Sequence, residues 1–494
     1  MAWMTRQDIT IGGYQLMELS QFQIQAEVNQ HGKLYLEGML SEDTVRRLET
    51  TDQSGQTIQI IAAGKVIFTG QPERIEIRTF NGCHTMKLEA AGFSNQLSLV
   101  PHSYFYQDTA QSYEDMLRKA VEHCGGSLIA VQGQERIPAP VLQYCQSAWD
   151  FGLRTASMLH TVIVPNLAAD YPQICLGLPE GTRYEVNPSA LEKRVAFSRQ
   201  RYDEAAQTGQ NHTRQEYISY ICEDERIFCL GDRITADGDE WAVMSLSHSF
   251  KDGVLINQYI LGAQAGFALP YRGNPVQTGL MLEGTVKAVE GESVQVCLQI
   301  PDDAQEGKAS WFEYAPAANN GMYAMPPAGT VVSLEWMGQK DGECKAVRTV
   351  RGGEKLPDYA ERSMITEYGK QMNMGPSALS FLSDSNWIGL EDGIKLNTAG
   401  RLKLSAGRNI SIHSRKSVSL RMPQQLFMSI KGIPSSIWME GGRIHIKSAQ
   451  SSLKSNNGKA MTAMPYREII NPVALQAGTV LALAGMTPAT AGGK

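Results

Sequence analysis

Three observations predict a mainly β fold. Short apolar runs of period two recur along residues 21–351. Two segments carry clear helix starts. From residue 393 onward, apolar pairs return every eight residues: Ile394/Leu396, Leu402/Leu404, Ile410/Ile412, Val418/Leu420 and Leu426/Met428. Residues two apart share one face of a strand, whereas a helix spaces its apolar residues by three and four. At 494 residues the chain is long enough for several domains.

Residues 1–270 are expected to form two β-rich subdomains of barrel-like character with a few helices. The stretches QFQIQAEV, KLYLEGML, QTIQIIAAGKVIFTG and RIEIRTF alternate and are bounded by Gly, Asn and Pro. Ser112 caps SYEDMLRKAVEHCG, with Asp115 three residues on and Gly125–Gly126 at the exit. Ser147 and Asp150 repeat that arrangement in SAWDFGLRTASMLH, placing Trp149, Leu153, Ala156 and His160 on one helical face.

Residues 271–281 read as a linker of Pro, Gly and Asn without periodicity. LEGTVKAV, ESVQVCLQI, GTVVSLEWM and ECKAVRTVR follow, and short strands so spaced over 282–351 suit a small OB-type barrel. Residues 352–385 form a less regular connector, 386–455 hold the octads, and 456–494 are a tail. The apolar run VLALAG at 480–485 is the candidate there for docking a tip protein or cargo.

One octad strand buries little by itself. Stacked repeats bury a continuous core only when strands close around an axis. A single chain winding three octads per coil makes a solenoid; three chains each supplying one side make a thin prism. The prism uses each octad as one axial step, which explains the regularity over so short a segment. A trimeric octad-repeat β-helix is therefore the leading expectation, with the apolar pairs inward as its core.

Net charge is −6, but residues 386–455 carry eleven Lys/Arg against Glu391, Asp392 and Glu440, a net of +8 that leaves −14 for the rest. Lys395, Arg401, Lys403, Arg408, Arg415 and Lys416 would form the basic outer skin. Such a skin suits an anionic membrane or wall polymer, and it equally protects exposed strands from aggregation.

Chemistry is sparse. Eight cysteines are scattered with no C-x-x-C pair, which argues for reduced thiols rather than a zinc knuckle. The sequence has no G-x-x-x-x-G-K-[ST], H-E-x-x-H or G-x-S-x-G. Glu361 and Glu367 could be imagined as a carboxylate pair, but residues 352–385 are too few for a folded enzyme. His445, in RIHIK, is the one metal candidate, since three copies around an axis would bring three imidazoles together. Ile444 and Ile446 take the inward parity there, so His445 is expected to point out, as is His413. Trp387 and Trp438 are expected to pack at the ends of the prism, with carbohydrate stacking as the rival role. No catalytic residue and no cofactor are expected. No run of eighteen apolar residues exists. The start MAWMTRQDITIGGYQL lacks a basic segment followed by an apolar core, so no Sec-type signal is expected and assembly is placed in the cytoplasm.

The order of a β-rich half, a small barrel and an octad prism resembles the VgrG-type spike proteins of contractile injection systems and the phage tail hub–spike (late control D–like) family. QYCQSAWDFGLRTASMLHTVIVPN (143–166) looks like the family's helix after "QY-x-E-S", with Gln146 where an acidic residue is usual. VKAVEGESVQVCLQI and WFEYAPAANNGMYAMPPAGTVVSLEWMG resemble its barrel segment, and the likeness spans roughly residues 5–455. The resemblance implies a homotrimeric hub seated on a tail tube, a connecting barrel, and a prism driven through a target envelope when a sheath contracts. It further implies tail tube and baseplate partners, a PAAR-like tip protein or effector cargo at the C-terminus, transient contact with a target membrane or wall, and no nucleic acid. The rivals are a trimeric carbohydrate-binding tail fibre and a peptidoglycan-cleaving spike.

Overall fold

The computed structural model describes residues 4–50, 55–187, 196–207, 213–236, 238–298, 300, 309–315, 325–350, 360, 362–366, 368–422, 424–429, 436–440, 443–447, 451–454, 460–463 and 466–469. It is mainly β, with 48% strand and 15% helix, in agreement with the expected class. The chain divides into two units, 1–362 and 363–494.

The first unit is built on a twelve-stranded sheet. Its strands alternate as the sequence does: in Glu18–Glu27, Phe22, Ile24 and Ala26 are buried, and in Lys33–Leu40, Leu34, Leu36 and Leu40 are. Two-residue turns set two hairpins. Asn81–Gly82 joins Lys65–Phe80 to Cys83–Gly92, and Asp252–Gly253 joins Asp239–Lys251 to Val254–Gly262. All four turn residues have positive φ, which the Asn-Gly and Asp-Gly pairs adopt readily. The sheet is completed across a long sequence gap, where Glu18–Glu27 pairs antiparallel with Asp239–Lys251 (Ile24 opposite His248, Ala26 opposite Leu246).

Residues between these strands form a second core around two further helices; a first helix, α1 (Glu42–Thr50), puts Val45 into the first core, that of the large sheet. Helix α2 (Tyr113–His123) begins with the expected capping box. Asp115 N–H donates to Ser112 Oγ at 3.1 Å and Ser112 N–H donates to Asp115 Oδ2 at 3.0 Å. Helix α3 (Ala148–Met158) starts on Ser147, whose Oγ accepts from Asp150 N–H. It ends before His160, which has φ +50° and so leaves the face expected for it.

Period-two alternation then does something the sequence reading did not anticipate: both strand faces are buried, each in a different core. In the sheet of Ser127–Ala130, Ile163–Pro165 and Gln173–Leu176, the residues Val164 and Cys175 enter the first core. Leu128, Ile163, Ile174 and Leu176 enter the second. The ribbon of Pro101–Tyr106 and Val141–Ser147 divides likewise. Tyr106 and Val141 enter the second core, whereas Phe105 and Leu142 enter a third.

That third core belongs to a five-stranded sheet ordered Ser310–Glu313, Ser293–Leu298, Met281–Glu290, Val331–Trp336, Cys344–Val350. A bridge from Tyr314 to Ala346 brings its two ends together. Val286, Val294, Val296, Leu334 and Trp336 fill it, with Phe105 lying 6.0 Å from Trp336 and 6.3 Å from Phe312 between ring centroids.

In the second unit, the segment expected to be an irregular connector is an antiparallel meander. Arg362–Ile365, Lys370–Met374, Leu379–Ser383, Asn386–Leu390 and Ile394–Asn397 follow one another in order. The octad β-helix is not seen. Ile394 and Leu396 lie on the last strand of the meander, and residues 398–422 form no strand. Leu426 and Met428 lie on Gln425–Ser429, paired antiparallel with Ser436–Glu440. The physical reason is local: a strand needs a neighbour for its backbone N–H and C=O groups, and none of the described strands pairs with residues 398–422.

Candidate functional site: an exposed apolar ladder and a buried joint

The first candidate is the uncovered apolar face of the second unit. Cross-strand register aligns Met372, Phe381, Ile388 and Leu396, and beside them Met374, Leu379, Leu390 and Ile394. The opposite face carries Gln371, Asn373, Ser380, Leu382, Trp387, Gly389, Lys395 and Asn397. The sheet is therefore amphipathic, yet Phe381, Ile388, Leu390, Ile394 and Leu396 are all exposed. The octad residues continue the pattern: Ile394, Leu396, Leu402, Leu404, Ile410, Ile412, Val418, Leu420 and Met428 are 47–75% exposed, and Leu426 is half-buried. Lys395, Lys403, Ser411 and Ser419 between the pairs are exposed too, so the single chain covers neither parity.

Residues 393–421 contain no Asp or Glu. Lys395, Arg401, Lys403, Arg408, Arg415 and Lys416 all lie exposed there, with Lys395 paired to Glu391 at 2.7 Å. Trp387 is half-buried, its ring over Gly389. Strand Arg443–Lys447 carries His445 opposite Trp438, but both side chains lie outside the described residues, as do Glu361, Glu367 and the run 480–485. The octad pairs expected to form an inward core lie exposed in the single chain, and the meander was missed because 362–390 mixes its apolar residues with Asn, Ser and Gly.

The second candidate joins the five-stranded sheet to the rest of the first unit. Leu142 places its side chain in the third core while its peptide groups are held by buried polar side chains. Arg154 Nη2 donates to Leu142 O at 2.8 Å, and Gln277 Nε2 donates to the same oxygen at 2.7 Å. Leu142 N–H donates to Asp341 Oδ1 at 3.0 Å. The Arg154–Asp341 ion pair measures 3.7 Å, with both side chains buried. Asn274 Nδ2 donates to Tyr144 O at 3.0 Å, and Ser310 Oγ to Gln107 O at 2.6 Å. Segment 271–281, expected as a linker, thus contributes Asn274 and Gln277 as buried residues.

Electrostatics at the joint follow from burial. Loss of solvent pulls the Arg154 guanidinium below its usual range, opposed by the Asp341 carboxylate. Burial, and then the same carboxylate, pushes the Tyr271 phenol up to about 12. Burial likewise drives the Cys344 thiol far above its ordinary value. The Arg154 guanidinium, the Tyr271 phenol and the Cys344 thiol thus all feel the one Asp341 carboxylate. None of these residues was legible as a site, because Leu142 and Asp341 stand 199 residues apart and Asp341 sits in a turn like any other.

No family model matches the sequence, and no curated relative matches it. Solved structures do. The E. coli c3393 protein, a component of the type VI secretion system with structural similarity to T4 bacteriophage tail proteins gp27 and gp5, has a TM-score of 0.49 at 12% identity, over 69% of this chain and 99% of that one. The matches are to spike and tail proteins, over most of this chain. The lidded Francisella PdpA–VgrG complex gives 0.49 at 9% identity, over 79% of this chain and 80% of that one. The 43 kDa tail protein of prophage MuSo2 from Shewanella oneidensis gives 0.42 at 11% identity, over 53% of this chain and 98% of that one. No helix among the described residues is long and apolar enough to cross a membrane.

Proposed function

We propose that this chain is the homotrimeric central spike and hub of a contractile injection machine. The first unit caps the tail tube and meets the baseplate, the barrel transmits thrust, and the octads form a triple β-helix that punctures the target envelope on sheath contraction. The observation that carries this reading is the eight-residue ladder of apolar pairs left exposed by the single chain. Fully burying a Leu or Ile contributes about 1.5–3 kcal/mol, so three copies closing on one axis would be strongly stabilised. A closed prism also has no free edges along its length and resists peeling under load.

In this reading the protein works mechanically, binds no cofactor and carries no catalytic residue. Its partners are two further copies of itself, tail tube and baseplate proteins, a tip protein or cargo at the C-terminus, and transiently an anionic envelope met by the basic skin. The buried joint suits the same task, since thrust must pass from hub to barrel without rotation between them. Light scattering of the purified chain should give three copies per particle; a stable monomer at micromolar concentration would overturn the proposal.

A further inference from the structure

A cavity of about 180 Å³ lies in the first unit, walled by Val66, Ile129, Val164, Ile227, Phe228 and Leu246. Among the described residues no Asp, Glu, Lys or Arg lines it. Its walls are held from both sides. Thr69 N–H donates to Leu167 O at 2.6 Å, and Thr69 Oγ1 donates to Ala168 O at 3.1 Å. Phe228 N–H donates to Tyr259 Oη at 3.0 Å, and that hydroxyl donates to Arg226 O at 2.9 Å. Ile129 is 49% exposed, so the cavity is reached from the surface beside it. The wall amides are spent on other groups: Asn166 Nδ2 donates to Gln173 Oε1, and Gln173 Nε2 to Ser127 Oγ and Tyr171 Oη. His248 differs. It lines the cavity and is 1% exposed. Asn257 Nδ2 donates to Asp224 O and Glu225 O, so Asn257 Oδ1 accepts from His248 Nδ1–H at 2.8 Å. Burial keeps the ring neutral, which leaves a lone pair on Nε2. Among the described residues no hydrogen bond reaches that nitrogen.

We propose that this cavity binds a small neutral aromatic molecule with one hydrogen-bond donor, of the phenol class, its hydroxyl donating to His248 Nε2. Size sets the first limit. An apolar cavity of about 150 Å³ holds benzene, so this one admits a single ring with one small substituent. The uncharged wall sets the second, because an ion would lose its hydration there without a counter-charge. The unpaired acceptor sets the third. A hydrocarbon of the same size would fill the space but leave Nε2 buried without a donor, whereas a hydroxyl satisfies it. The ring would pack against Phe228. Bound there, the ligand would touch the large sheet through Leu246 and the small sheet through Val164, tying one to the other.

The test is titration of the full chain with phenol and, separately, toluene, read by calorimetry and thermal melting. One phenol per chain and a raised melting temperature are expected. Phenol should bind several-fold tighter than toluene, although toluene is the more hydrophobic of the two. Ile129→Trp, at the exposed mouth, should weaken phenol at least roughly tenfold by closing the entrance. His248→Phe should reverse the preference to toluene; where that variant does not fold, the wild-type preference and Ile129→Trp still decide. Absence of saturable phenol binding, toluene bound as tightly as phenol, or binding unchanged in Ile129→Trp would overturn the proposal. These outcomes do not depend on the oligomeric state.

Discussion

The two units use the same alternation to different ends. In the first, strands such as Pro101–Tyr106 and Gln173–Leu176 bury both faces, one in each of two neighbouring cores. In the second, the meander and the octads leave Phe381, Ile388, Ile394, Leu402 and Ile410 exposed. Alternation therefore states that a face will be covered, not by what. In the first unit the chain covers both faces alone; in the second, the cover is what the proposed trimer would supply.

The comparison can be broken most sharply at the ladder. Ile410→Asp should abolish trimer assembly, because three carboxylates would converge near one axis at a cost of several kcal/mol each. Size-exclusion with light scattering reads the result, and an intact trimer would show that the exposed face of the single chain is also exposed in the particle. Next comes the joint. Arg154→Met should destabilise the first unit by about 3–5 kcal/mol, since Asp341 is left buried without its cation. Adding Asp341→Asn should recover much of the loss in a chemical denaturation series, and strict additivity of the two changes would deny the pairing.

Acid gives a smaller effect on the same unit. His248 is fully buried, and Asn257 Nδ2 donates to Asp224 O and Glu225 O, so Asn257 Oδ1 faces His248 Nδ1 at 2.8 Å. Burial holds His248 down at about 4, against an ordinary value of 6.5. Burial does the same to His31, held at about 4 between Ser94 and Ser98 and opposed by Asp150. Unfolded chains take up these protons from about pH 6.5 downward, whereas the folded protein takes them near pH 4. Stability should therefore fall through that window and level off below it, by on the order of 3 kcal/mol from His248. A flat stability profile between pH 7 and 4 would refute the burial of a neutral imidazole. The smallest change is Ser112→Ala, which removes the α2 cap and should cost about 1 kcal/mol in thermal or denaturant unfolding; the ladder should not notice it.

What was legible in the sequence was local. Ser112 and Asp115 announced α2, Ser147 and Asp150 announced α3, and the octad spacing announced a face needing cover. Non-local pairings left no such mark: Glu18–Glu27 beside Asp239–Lys251, or Arg154 beside Asp341, depend on chain return and not on any pattern within a window. The meander at 362–397 hid because its polar face carries Gly389, Ser380 and Asn373, which read as turn residues until their register is known.

The pairing of Glu18–Glu27 with Asp239–Lys251 also sets a schedule for synthesis. One edge of Glu18–Glu27 is made early, and its partner leaves the ribosome more than two hundred residues later. At about 5–20 residues per second, that edge waits on the order of ten to forty seconds for closure. The first unit is thus most open to mispairing during its own translation, and a second copy made on the same message would be the nearest wrong partner.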